Sequence, residues 1–281
     1  TNPYAECRRY LATAPVSITA MGCHMSKSTK TTDDETTSET TTTARGVSAA
    51  DKTLGPFNFA SGLPDCVSAN PECYSVLAEL PNFRLVQMKV PPGGQDKPHD
   101  HVEHSMYIVN DAKLEITDYD EKGASKNNAH VVEVPAGACP IFPAGAHQVK
   151  NVSDKEALIL FIEQLPTCKP CGESAGFISP FKVAPECYKV LAENDSYYTG
   201  MLEMAPGASD PVHNHKDHLI YVLEGEEVTI FVGGDESNAM QVPLKAGVGI
   251  PAPMEAPPFG KHSLKNTGKV PLKLLFFEQK F

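Results

Sequence analysis

The chain has 281 residues, 41% of them hydrophobic, and a formal net charge of −11. That length suits one large or two ordinary domains with a real core. The acidity argues against nucleic acid as a partner, and no run approaches the roughly 18 apolar residues that a membrane-spanning helix needs.

Residues 26–46, SKSTKTTDDETTSETTTTARG, have no apolar periodicity and cannot bury enough surface to offset their ordering entropy. Residues 1–50 are therefore expected to form an N-terminal tail with a disordered Thr-rich arm. Cys7 and Cys23 lie before it, in a stretch that is either a short cap or a second disordered piece.

The remainder is a duplication. NPECYSVLAEL at 70–80 recurs as APECYKVLAEN at 184–194, and VPPGGQDKPHDHVEHSMYIV at 90–109 recurs as MAPGASDPVHNHKDHLIYVL at 204–223. Cys73 and Cys187, like His99 and His213, are 114 residues apart, and FIEQ and FFEQ near the two ends are 115 apart. Two domain-sized repeats point to two copies of one unit, at 51–166 and 167–281, rather than to a solenoid.

Short apolar segments in each unit (FRLVQMKV, SMYIV, KLEITDY, HVVEV, ALILFIE; then YTGMLEM, LIYVL, EVTIFV, MQVPL, LKLLFFE) are separated by Gly, Pro, Asn and Asp clusters. This pattern predicts an all-β fold of two tandem closed or double-sheet barrels. PECY-x-VLAE reads either as a helical turn or as a strand.

Eight of the ten histidines fall into two matched sets: His99, His101, His104 and His147, then His213, His215, His218 and His262. In His-x-His on a strand both rings face one side. A lone interior histidine is ordinarily a hydrogen-bonded core residue, but four unpaired rings buried together would be costly. Their repetition in register predicts a metal site in each unit.

These units resemble cupins, and the chain resembles a bicupin. The first family motif sets Gly six residues before the first His of His-x-His, as Gly93 and Gly207 do here. Counting back from the motif's closing Gly position, Gly225 or Asp111, lands on His218 or His104 where the family usually has Glu. The second motif, with Pro-x-Gly, His and then Asn, is matched by Pro143, Gly145, His147 and Asn151. In the second unit a longer Pro-rich loop precedes His262 and Asn266. The resemblance covers roughly residues 55–281 and implies double-stranded β-helix (jelly-roll) barrels.

It also implies His99, His101, His104, His147, His213, His215, His218 and His262 as ligands of a divalent transition metal (Fe, Cu, Mn, Ni or Zn), up to two per chain. Glu103 and Asp217 are rival ligands to His104 and His218, and a three-His site with the fourth ring behind it is a further alternative. Tyr107 and Tyr221, matched between copies, are candidate catalytic groups, with barrel packing as the competing role. Glu163 and Glu278 are candidates to orient a ligating histidine.

The implied activity is a dioxygenase-type oxidoreductase acting on a small organic substrate. The rivals are a metal-dependent lyase or isomerase and a non-catalytic metal-storing bicupin. Coordination number separates these readings, because four histidines close the shell of a tetrahedral zinc but leave two positions open on a six-coordinate ion.

The eight cysteines do not form a dense framework. A Cys66–Cys73 disulfide is conceivable, Cys168-Lys-Pro-Cys171 reads as a linker disulfide or free thiols, and Cys139 reads as packing. Sequons at Asn151 and Asn194 permit N-glycosylation. A secreted or lumenal location is expected, with the cytoplasm as the alternative, and a homo-oligomer is left open.

Overall fold

Strand-forming segments of the kind seen in the sequence must pair across turns and hide one face, and each repeat does so as two packed sheets. The structure, a computed structural model, describes residues 57–169, 176–253 and 260–280. The Thr-rich arm, Cys7, Cys23, Cys171 and most of the Pro-rich loop before His262 lie outside them.

The first unit opens with a short helix α1 (Cys66–Ala69), capped by the Asp65 carboxylate, which accepts from the backbone N–H of Val67. Nine strands follow: β1 (Tyr74–Glu79), β2 (Phe83–Val90), β3 (His99–His101), β4 (His104–Ile108), β5 (Ala112–Asp118), β6 (His130–Val134), β7 (Ile141–Phe142), β8 (Gly145–Asn151) and β9 (Ala157–Gln164). They form a five-stranded sheet, β1-β2-β9-β4-β7, and a four-stranded sheet, β3-β8-β5-β6.

The second unit has helix α2 (Pro180–Val183) and strands β10 (Tyr188–Glu193), β11 (Tyr197–Met204), β12 (His218–Glu224), β13 (Glu227–Val232), β14 (Ala239–Pro243), β15 (Gly249–Ala252), β16 (His262–Asn266) and β17 (Leu272–Gln279). Its sheets, β10-β11-β17-β12-β15 and β14-β13-β16, repeat the first pair. A β-bridge between His213 and His262 stands in for the missing counterpart of β3. PECY-x-VLAE is thus a strand in both units, with the same bulge, between Val76 and Ala78 and between Val190 and Ala192.

Alternation within each strand divides the apolar residues between two cores. Inward residues such as Val86, Met88, Ile159 and Phe161 fill the first barrel, and Leu202, Ile220, Leu274 and Phe276 the second. Outward residues of the two five-stranded sheets meet in a third cluster, a seam between the barrels that includes Phe83, Leu85, Leu160, Ile162, Tyr197, Leu219, Leu275 and Phe277. The backbones come close here, since a Cβ on Gly249 would lie 2.8 Å from the Cβ of Leu77. Polar pairs tie the seam: Ser105 and Thr199 hydroxyls are 2.7 Å apart, and the Asn82 amide donates to Gln279 Oε1 at 2.7 Å.

The turn before each His-x-His is fixed from both family motifs. Gly93 and Gly207 adopt φ of 73° and 79°, a region that favours glycine, and their N–H groups donate to the carbonyls of Asn151 and Asn266. The side-chain amides of these asparagines donate to Val90 and Lys155, and to Met204 and Val270. Asn151 is fully buried, so the glycan that its sequon permits cannot reach an amide that is already committed inside the fold. Asn194 donates to Glu103 across the two units. Cys66, Cys73, Cys139 and Cys187 are free thiols, so the conceivable Cys66–Cys73 bridge is absent.

Candidate metal centres

Short strands and tight turns bring distant histidines together. In β3 both His99 and His101 are buried, and β3 pairs with β8 so that His99 lies directly across from His147. Their counterparts His213 and His262 exchange both backbone hydrogen bonds at 2.8 Å. The nitrogens of His99, His101 and His147 lie within 4.8 Å of one another, as do those of His213, His215 and His262. His104 and His218 open the next strand after a two-residue turn, and their ring centroids are 4.7 Å from His101 and 4.5 Å from His215. All four rings of each set therefore meet at one end of a barrel interior, three as a tight trio and the fourth beside it.

The hydrogen bonds orient these rings. Nδ1 of His99, His104, His213, His218 and His262 faces the carbonyl of Lys97, Val102, Pro211, Lys216 and Gly260, at 2.6–2.9 Å. Nδ1 of His101 and His215 faces Glu163 and Glu278, at 2.8 and 2.9 Å. A carbonyl or carboxylate can only accept, so Nδ1 carries the proton and Nε2 keeps a lone pair. Nε2 of His101 and of His215 is buried without a hydrogen-bond partner. Two orphaned imidazole acceptors, each among further neutral rings, fit a divalent transition metal, and carboxylates behind metal-binding histidines are the usual support.

The electrostatics agree. Burial holds the imidazoles below their ordinary range, to about 3 for His99 and His218 and about 4 for His262, and the neighbouring rings add to it. His101, His147 and His215 are lowered well below that range by the same causes. These rings stay neutral at physiological pH, the state in which imidazole binds a metal. Burial also raises Glu278 to about 7.

Glu103 and Asp217 do not enter the cavities. Glu103 accepts from Asn194 at 2.7 Å, and Asp217 lies 3.5 Å from the amide of Asn82, at the seam. Tyr107 and Tyr221 are also displaced from their expected place. His104 and Met106 line the first cavity, and His218 and Ile220 the second, whereas both tyrosines belong to the seam cluster. The catalytic reading of Tyr107 and Tyr221 is corrected to packing: each is three residues beyond its histidine, and an odd offset on a strand points the other way. Cys139 lies within reach of Thr199, also toward the seam.

Sequence reasoning missed the phenols that do face the sites. Tyr74 donates to Asp96 at 2.8 Å with its oxygen 3.4 Å from His99 Nε2, and Tyr188 repeats this with Asp210 and His213, at 2.8 and 3.3 Å. Asp96 and Asp210 also accept from the N–H of Val149 and Leu264, which locks the strand carrying His147 or His262 against the turn before His-x-His. The signal was present, because PECY and the Asp three residues before His99 and His213 both recur. A further trio, Cys66, His101 and Glu163, also lies within 4.8 Å. Glu163 is already held by His101 and Arg84, and burial raises the Cys66 thiol well above its usual range. This trio is the back of the first histidine site and not a separate centre.

Residues 200–278 match the cupin domain family. No curated protein is similar enough to match. Among solved structures, a cupin 2 conserved barrel domain protein from Leptotrichia buccalis is similar at 14% identity and TM-score 0.43, over 74% of this chain and 88% of that one. Oxalate decarboxylase from Bacillus subtilis at pH 4.6 is similar at 18% identity and TM-score 0.47, over 74% and 71%. A structure of the same enzyme described for its Mn(II) centres aligns at 17% and 0.45, over 74% and 72%. The family match falls within the second unit. The first repeats its strand order and its histidine positions, so the chain is built as two cupin-type barrels, each with a histidine cluster that could hold a metal.

Proposed function

We propose that the protein is a metal-dependent oxidoreductase of the dioxygenase type, acting on a small organic substrate at multi-histidine centres that take up to two divalent transition metals per chain. One observation carries the reading: the buried, partnerless Nε2 atoms of His101 and His215, each with Nδ1 pinned by a carboxylate. The ligands would be His99, His101 and His147 with His104 beside them, and His213, His215 and His262 with His218. A bound ion would supply positive charge and, at positions left open, a means to polarise or oxidise a chelated substrate.

The remaining roles belong to this chain's own groups. Glu163 and Glu278 fix the tautomer of His101 and His215. Tyr74 and Tyr188 hold their protons toward Asp96 and Asp210, and burial keeps both phenols well above their ordinary pKa, so they act as neutral donors. The barrel walls exclude bulk water, which strengthens each polar contact inside.

The test is elemental analysis of protein purified without added metal, followed by anaerobic nitric oxide binding. A redox-active metal near two per chain with a ferrous nitrosyl signal is the expected result for iron. A zinc-only protein that admits no added ligand would overturn the redox assignment, and a chain that retains no metal would overturn the centre itself.

A further inference from the structure

The two cavities differ more than the two histidine sets. Around His215, His218 and His262 every other described side chain lining the second cavity is apolar, among them Ile220, Ile230, Met240, Val242, Ile250 and Phe276. The space inside this cavity is small, about 60 Å³. The first, larger at about 370 Å³, carries Asp118, Tyr119, Lys126 and His130 in its lining. We infer that the second barrel takes a small molecule with a single metal-binding polar head and an otherwise hydrocarbon or aromatic body. The inference rests on the metal reading above and adds the substrate class to it.

The physical reason is the absence of hydrogen-bond partners among the described wall residues. A hydroxyl or carboxylate on the body of a ligand would give up its water and gain nothing, whereas each buried methylene strengthens binding by up to about fourfold. Only the histidine end of the cavity offers a polar anchor. In the first cavity the polar rim removes this penalty, so the same preference is not expected there.

The full chain reconstituted with Co(II) is titrated with acetohydroxamate and octanohydroxamate, chelators with one head group and different tails. The d–d spectrum reports the head, and calorimetry the affinity. Octanohydroxamate is expected to bind one class of site at least about tenfold more tightly. Met240→Lys, at the half-buried wall of the second cavity, should bring that ratio to about threefold or less while cobalt content and acetohydroxamate affinity persist. Ile250→Asn provides a second such change, and Met106→Lys in the first cavity should leave the ratio intact. Equal affinity for both chelators, or a ratio lost with Met106→Lys and kept with Met240→Lys, overturns the inference. If no cobalt binds, the metal reading fails by itself. The cavity is then judged on the metal-free chain with 1-octanol, whose binding must be seen and must vanish with Met240→Lys.

Discussion

The two barrels present the same ring of imidazoles but support it differently from behind. In the first, Glu163 bridges His101 and Arg84 at 2.8 and 2.7 Å, and Arg84 reaches Asp65 at 2.8 Å, all of them buried. In the second, Tyr198 and Ser179 stand at the repeat positions of Arg84 and Asp65. Glu278 accepts from the Lys216 backbone N–H instead, and the buried Lys216 replaces Val102 of the first unit. The imidazoles and the carboxylate behind them were retained while the charge around that carboxylate was rearranged. Two centres with one inner geometry therefore sit in different fields, which is how a duplicated protein could tune two ions apart.

The sharpest way to break the comparison is to remove one imidazole from each set. His101→Ala and His215→Ala should each lower metal content by about one ion per chain, measured by elemental analysis, because each deletes the ring with an orphaned nitrogen. Equal loss of both ions from either variant would show that the sites are not independent.

Next in size is the support network. Arg84→Met leaves Asp65 and Glu163 buried without their cation and should cost about 3–5 kcal/mol in urea unfolding. Tyr198→Phe, at the matched position, should cost under about 1 kcal/mol. Similar values for the two would remove the asymmetry described above.

Acid should then weaken the metal-free chain. His99 and His218 sit near 3 in the fold against about 6.5 when exposed, so between those values the unfolded chain binds protons and the folded one does not. Stability is therefore full above about pH 6.5 and is lost as pH falls toward 3, by on the order of a few kcal/mol per ring. Asp96 and Glu278, each raised to about 7, act in the opposite sense, losing stability as pH rises to 7 from their ordinary values near 4. The more numerous histidines should prevail. The urea midpoint of EDTA-treated protein should thus fall between pH 6.5 and 5, and bound metal should reduce that slope. The smallest effects are expected from Tyr107→Phe and Tyr221→Phe, within about 0.5–1 kcal/mol in stability and with metal content unchanged.

The repeat register, the barrels and the convergence of histidines were legible because strand parity and duplication are local, countable properties. Parity also held the correction for Tyr107, since an odd step from His104 changes faces. The Asn151 sequon could have been read as structural from its partner, because Asn266-Thr-Gly keeps the asparagine and drops the sequon. The Asp65–Arg84–Glu163 chain was not legible. Its members are 19 and 79 residues apart, and although Glu163 recurs as Glu278, only the first unit has Asp65 and Arg84, so neither spacing nor repetition marks those two. Likewise the polarity of each cavity depends on which walls close over the histidines, a property of tertiary packing alone.

The Gly249–Leu77 approach and the greasy sheet-to-sheet contact around it have a bearing on ancestry. A solitary unit carrying that face would have had to shield it against a twin, so joining two copies in one polypeptide would have made a dimer permanent. Once the twins were covalently joined, neither had to remain a copy of the other, and unequal support behind equal imidazoles is what such freedom would leave.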